Sequence, residues 1–123
     1  MPELHELSIA EAAERIRTRK LSPLELTDAL LKRIDTYQPQ LSAFITVTGD
    51  LAREQAKAAE SDIARGNYRG PLHGVPFALK DIYNTAGILT SGGSKVCIDN
   101  VPATNATATQ KLLDAGAVLL GKL

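Results

Sequence analysis

The sequence has 123 residues, and its 14 Lys and Arg residues balance 14 Asp and Glu residues, so it lacks the net positive charge that favours binding to nucleic acids or anionic membranes. Hydrophobic residues make up 44% and charged residues 23%, which excludes the low-hydropathy, high-charge composition of disordered chains and fits at most one folded domain. No apolar run approaches the ~20 residues of a membrane helix, and the N-terminus carries Glu3 and Glu6 instead of a secretion signal. We therefore expect a cytoplasmic protein that binds neither membranes nor nucleic acids.

Two helix starts stand out in the first 40 residues. Residues 8–11 and 22–25 both read Ser-x-x-Glu, the capping box in which the serine and glutamate side chains satisfy free backbone N–H groups. The first predicts a helix over about residues 9–19. The second predicts a helix that begins at a proline in the first turn and stops at Pro39.

A short strand and a third helix complete the first half. Residues 43–48 contain β-branched and aromatic side chains, which favour a strand. Asp50 is predicted to cap the following helix, and Gly66 to end it in the left-handed conformation.

The second half predicts a strand–helix–strand unit. Residues 75–79 form an apolar run typical of a buried strand, residues 81–101 a long ordered loop, and residues 117–120 a second buried strand. Asn105 is predicted to cap the intervening helix over about residues 106–115. Such a βαβ unit places its two strands in parallel within an α/β fold, and so few strands would form an incomplete sheet.

Lys80 is the first candidate functional residue. Strand alternation puts it on the face of Pro76 and Ala78, at the carboxyl end of the strand, where open α/β sheets bind ligands. A desolvated lysine can act as a general base because burial favours the neutral amine. A lysine at a strand end can equally extend into water or pair with Asp81, and position alone leaves these alternatives open.

Other motifs are better explained by structure than by chemistry. Residues 116–122 have the spacing of a phosphate-binding loop but lie after a helix and within a strand, so their N–H groups belong to the sheet. Residues 91–95, Ser-Gly-Gly-Ser-Lys, are typical of a loop. His5 and His73 have no partners at metal-ligand spacing, so no metal is expected. Cys97, the single cysteine, is predicted to be a small buried hydrophobic residue.

Two segments resemble the amidase signature family. Residues 70–81 read GPLHGVPFALKD, which matches the family pattern Gly-Pro-Leu-x-Gly-(Ile/Val)-Pro-x-x-(Val/Leu)-Lys-Asp. Residues 115–122 read AGAVLLGK, which matches Ala-Gly-Ala-x-x-x-Gly-Lys. Residues 22–26 and 41–44 are similar to the family's opening helices and first strand, so the resemblance extends from about residue 7 to residue 122.

The resemblance implies a fold and a reaction. It implies the N-terminal portion of an α/β/α amidase-signature fold, with residues 1–69 as a helical lead-in containing one short strand and residues 70–123 as the truncated start of the catalytic core. Such enzymes hydrolyse a carboxamide to a carboxylic acid and ammonia with a Ser/cis-Ser/Lys triad and need no metal or organic cofactor. Lys80 falls on the family's catalytic lysine, and the expected partner is a small-molecule amide bound by the full-length form.

The sequence also departs from the family pattern. Both catalytic serines belong downstream of the Gly-Lys segment, and Leu123 replaces the threonine that usually follows it. We therefore expect a truncated chain that has no amidase turnover by itself.

Two alternatives to the amidase assignment stay open. The same segments resemble the amidase-like subunit of a glutamine-dependent tRNA amidotransferase. A non-catalytic remnant that docks through an exposed sheet edge would also fit.

Overall fold

The computed structural model describes residues 2–123, in which a helical first half leads into a strand–helix–strand unit. The elements in chain order are α1 (Ile9–Arg17), α2 (Pro23–Leu41), β1 (Thr46–Val47), α3 (Gly49–Ala64), β2 (Pro76–Leu79), α4 (Thr107–Asp114) and β3 (Val118–Lys122). Short 3-10 helices cover Leu4–Glu6 and Lys95–Cys97. This order confirms the predicted α/β class.

Both predicted serine caps are present. The Ser8 hydroxyl accepts a hydrogen bond from the Glu11 N–H at 3.2 Å, and the Glu11 carboxylate accepts one from the Ser8 N–H at 2.9 Å. The Ser22 hydroxyl accepts from two N–H groups in the first turn of α2, but this second capping box is only half formed, because the described residues show no bond from the Ser22 N–H to the Glu25 carboxylate. These bonds satisfy donors that a helix start leaves free, and α1 ends two residues before the predicted position.

Pro39 does not end α2, contrary to prediction. It lies in the last turn, and the helix continues to Leu41. A proline this close to the end removes one helical hydrogen bond, while the turn is closed by the Ser42 N–H, which donates to the Gln38 carbonyl at 2.8 Å. Ser42 then leaves the helix in the left-handed conformation, at φ +48°.

The two other predicted caps are wrong. Asp50 lies inside the first turn of α3, which begins at Gly49. α4 begins two residues after Asn105, whose amide oxygen accepts from the Ala86 N–H at 2.7 Å and whose amide nitrogen donates to Gln110 at 2.9 Å. The Asn105 side chain therefore ties the helix start to the preceding loop instead of capping it.

β3 is the central strand of a three-stranded sheet with the order β1-β3-β2. β2 pairs with β3 in parallel, from Pro76 opposite Val118 to Leu79 opposite Lys122, which confirms the predicted βαβ unit. All five β3 residues are buried, whereas β2 is buried only at Leu79. The prediction that β2 is buried along its length is wrong, because β2 lies at the sheet edge.

β1 is shorter than predicted. It pairs antiparallel with β3 over two residues, because the hydrogen-bonding groups of the Phe44 backbone are already bonded to the Gln38 side chain. The Gln38 amide nitrogen donates to the Phe44 carbonyl at 2.7 Å, and the Gln38 amide oxygen accepts from the Phe44 N–H at 3.1 Å. The strand register therefore begins only beyond Phe44.

Two apolar clusters pack the helices against the sheet. The first joins α1, α2 and α3 to the residue before β2, and the second joins α2 and α3 to β3. Their buried members are Ala12, Ala13, Ile16, Leu21, Leu26, Ile63 and Val75 in the first cluster, and Leu31, Ala52, Ala56, Val118 and Leu120 in the second. The helices thus cover one side of the sheet.

His73 is buried beside α3 and joins it to the segment before β2. The Arg69 backbone N–H donates to its Nδ1 at 3.0 Å, its ring stacks on Tyr68, and its Nε2 lies 4.0 Å from the Asp62 carboxylate. Only 1% of the residue is exposed. Burial lowers the pKa of His73, Arg69 lowers it further, and Asp62 partly opposes both.

We expect acid to destabilise the chain through His73. The unfolded chain takes up a proton near pH 6.5, and the folded chain does so only at lower pH. The contribution of neutral His73 to the free energy of unfolding is therefore complete above about pH 6.5. Below that pH it is lost, by at most about 1.4 kcal/mol for each pH unit. Urea unfolding at pH 7.5 and 5.5 measures the loss. His73→Gln, which keeps an acceptor but does not titrate, should show a smaller difference; equal differences would contradict the assignment.

Candidate active site

Lys80 directly follows β2, where the sequence places it. Its backbone is held in the ladder on both sides: the Leu79 carbonyl accepts from the Leu123 N–H at 2.8 Å, and the Asp81 N–H donates to the Leu123 carbonyl at 2.7 Å. Leu79 and Asp81 are buried, and Lys80 between them is exposed. The lysine therefore projects from the open face at the carboxyl end of the strand.

The buried surroundings invoked for Lys80 are not found among residues 2–123, where its side chain is exposed. The alternative ion pair with Asp81 is wrong as well, because the Asp81 carboxylate faces Lys122. The structure thus fixes the backbone of Lys80 and leaves its amine in solvent.

A second lysine at the same edge is fully buried. Lys122 ends β3 with 0% exposure, and its Nζ donates to the Tyr83 carbonyl and the Thr90 hydroxyl, each at 2.8 Å. The Asp81 Oδ1 lies 3.6 Å from the same nitrogen. Burial lowers the pKa of Lys122, and the negative charge of the nearby Asp81 carboxylate partly opposes this shift.

Asp81 and Ser91 form the other half of this network. The second oxygen of the Asp81 carboxylate accepts from both the backbone N–H and the hydroxyl of Ser91, and the Asp81 carbonyl accepts from the Gly92 N–H at 2.8 Å. The Ser91 hydroxyl in turn accepts from the Gly93 N–H at 3.2 Å. Ser91 therefore holds the loop in place, in agreement with the structural interpretation of residues 91–95.

Sequence reasoning missed this network, although a signal was present. Lys80-Asp81 and Gly121-Lys122 each end a strand of the predicted parallel pair. The carboxyl ends of parallel strands lie at one edge of a sheet, so these two charged segments had to meet.

Cys97 is exposed, so its predicted burial is wrong. It lies in the 3-10 helix of the long loop, flanked by the exposed side chains of Val96 and Ile98. Across residues 2–123, no three His, Cys, Asp or Glu side chains are placed to hold a metal ion together. None of the helices in this part of the chain has the length and apolar character needed to cross a membrane.

Comparison with known proteins decides the family. The family model described as Amidase matches residues 25–123. The chain belongs to the amidase family. It is 42% identical over 120 residues to amidase AmiD of Mycobacterium tuberculosis and 48% identical over 120 residues to a glutamyl-tRNA(Gln) amidotransferase subunit from Ectopseudomonas mendocina, in each case over 98% of this chain and 25% of the relative.

Solved amidase structures share the fold. The peptide amidase of Stenotrophomonas maltophilia superposes with a TM-score of 0.90 and 36% identity, over 98% of this chain and 25% of that one. The chain thus spans about a quarter of the length of the amidase-family relatives it matches, and its fold is that of their N-terminal portion.

Proposed function

We propose that the chain supplies the N-terminal part of an amidase domain that hydrolyses a small-molecule carboxamide, with Lys80 as the proton acceptor of a Ser/cis-Ser/Lys triad. The observation that carries this proposal is the placement of Lys80, an exposed amine on a fixed backbone at the carboxyl end of a parallel strand. That edge is where α/β sheets bind their ligands.

The proposed reaction needs groups that residues 1–123 do not supply. The Lys80 amine would accept a proton, through the bridging serine, from the nucleophilic serine, whose oxygen attacks the amide carbonyl. Protonated Lys80 returns this proton, through the same serine, to the leaving nitrogen, so that the C–N bond breaks, ammonia leaves and an acyl-serine remains. Water then attacks the acyl-serine, which releases the carboxylic acid and restores the serine hydroxyl. Because the resemblance places both serines downstream of residue 122, we propose that residues 1–123 alone have no turnover.

A fusion tests the proposal. Residues 1–123 replace the matching N-terminal quarter of the Stenotrophomonas peptide amidase, and ammonia release from a peptide amide is measured. We expect turnover from the fusion and none from the 123-residue chain. A fusion that unfolds cooperatively on heating but releases no ammonia would contradict the proposed function, and so would turnover by the 123-residue chain.

The 48% identity to one subunit of a tRNA amidotransferase supports a second candidate, the release of ammonia from glutamine for transfer to a misacylated tRNA. The same replacement made in the Ectopseudomonas protein, in complex with its own partner subunits, distinguishes the two. If the Ectopseudomonas fusion amidates misacylated tRNA with glutamine, and the Stenotrophomonas fusion does not hydrolyse a peptide amide, the amidotransferase function is favoured.

A further inference from the structure

Lys80 begins a tight turn that is held from the buried side of the sheet. The Lys80 carbonyl accepts from the Tyr83 N–H at 3.0 Å. The Tyr83 carbonyl in turn accepts from Lys122 Nζ at 2.8 Å. A continuous path of two hydrogen bonds therefore joins the buried ammonium group to the backbone of the exposed lysine.

The same ammonium group also holds the middle of the loop over residues 81–101, at Thr90. It donates a hydrogen bond to the hydroxyl of Thr90. The next residue, Ser91, donates two hydrogen bonds to the Asp81 carboxylate. Lys122 thus holds two points in the first half of the loop, Tyr83 and Thr90. Asp81, the neighbour of Lys80, is fixed through its N–H, its carbonyl and its carboxylate.

The geometry points to Lys122 as a positioning residue for Lys80, acting through Tyr83 and Asp81 to fix the turn from which the Lys80 side chain projects. This inference rests on the proposed function, because it gives Lys122 a role in the reaction assigned to Lys80. Leu79 and Lys122 are opposite each other in the ladder, so Lys122 occupies the face away from Lys80.

The position of Lys80 matters because a displaced general base lowers the reaction rate. A reacting group misplaced by about 1 Å can lose on the order of 10²-fold in rate. A surface lysine on a free loop would sample many such positions. Breaking a buried ion pair leaves an uncompensated charge, so moving this loop away from Lys122 is costly.

The first arm of the test uses the 123-residue chain. In Lys122→Met, the amides of Asp81, Tyr83 and Gly92 should exchange with solvent at least about 10-fold faster than in the original chain, because opening the turn no longer breaks the Lys122 bonds. Lys95→Met, which removes an exposed lysine from the same loop, is the matched control and should leave these amides unchanged. Unchanged exchange in Lys122→Met would overturn the inference.

The second arm measures amide hydrolysis by the fusion. Lys122→Met should lower kcat by about 10²-fold and change KM by less than about 2-fold, since only the position of the base is lost. The double variant Lys122→Met/Asp81→Asn removes both buried charges and should restore thermal stability. Its kcat should stay low, because Tyr83 and Thr90 still lack their hydrogen bonds to Lys122.

The outcomes separate the two proposals. If the double variant regains kcat together with stability, the role of Lys122 is only structural and the inference fails. An original fusion without turnover contradicts the proposed function and with it any catalytic role of Lys122. An active fusion whose kcat is unaffected by Lys122→Met overturns the positioning role alone.

Discussion

Replacing Lys80 by alanine in the fusion should slow phosphonylation of the serine nucleophile by a fluorophosphonate probe, in which the serine oxygen displaces fluoride from phosphorus, by about 10²–10⁴-fold. This is the range that a positioned general base contributes. The side chain is exposed in the 123-residue chain, so the substitution removes no packed group and should shift the thermal midpoint of that chain by little. The loss would then belong to chemistry and not to folding.

Lys80→Arg separates proton transfer from charge. Arginine keeps the positive charge and the long side chain, but it does not give up its proton near neutral pH and cannot serve as a base. We expect this variant to be as inactive as Lys80→Ala, and the control Lys95→Ala to label at the original rate. Near-normal labelling of Lys80→Arg would remove Lys80 from the proton-transfer step.

The parts of the fold that sequence patterns predict correctly depend on short-range partners. The Ser8 and Ser22 hydroxyls bond to N–H groups two or three residues away, and Gly66 ends α3 by its own conformation, at φ +88°. Such signals are complete within one stretch of sequence. The cap predicted at Asn105 is wrong because the partner of its side chain, Ala86, is 19 residues away.

The candidate site is predictable in position but not in environment. Strand alternation correctly places Lys80 at the end of β2, but it gives no indication of which strand-end lysine is buried. The loop after Asp81 folds over the face of Lys122 through Tyr83 and Thr90 and leaves the face of Lys80 open. That choice depends on the tertiary path of a long loop, which residue spacing does not determine.

Gly116→Ala should strongly destabilise the 123-residue chain. Gly116 ends α4 at φ +80°, with its N–H bonded to the Leu113 carbonyl and the following N–H, of Ala117, bonded to the Leu112 carbonyl. This is the Schellman arrangement, which requires a left-handed residue. An added Cβ would lie 2.4 Å from the Cδ2 atom of the buried His73 ring.

Gly66 offers a matched control because only one of these two costs applies to it. It follows α3 in the same conformation, at φ +88°, but an added Cβ would meet no atom within 4 Å. Gly66→Ala should therefore lose only the backbone preference, about 1 kcal/mol. Gly116→Ala adds a clash with the ring of His73, for a total loss of about 3 kcal/mol. Urea unfolding of both variants at pH 7.5 measures the difference; equal losses would show that His73 does not pack against this turn as the structure places it.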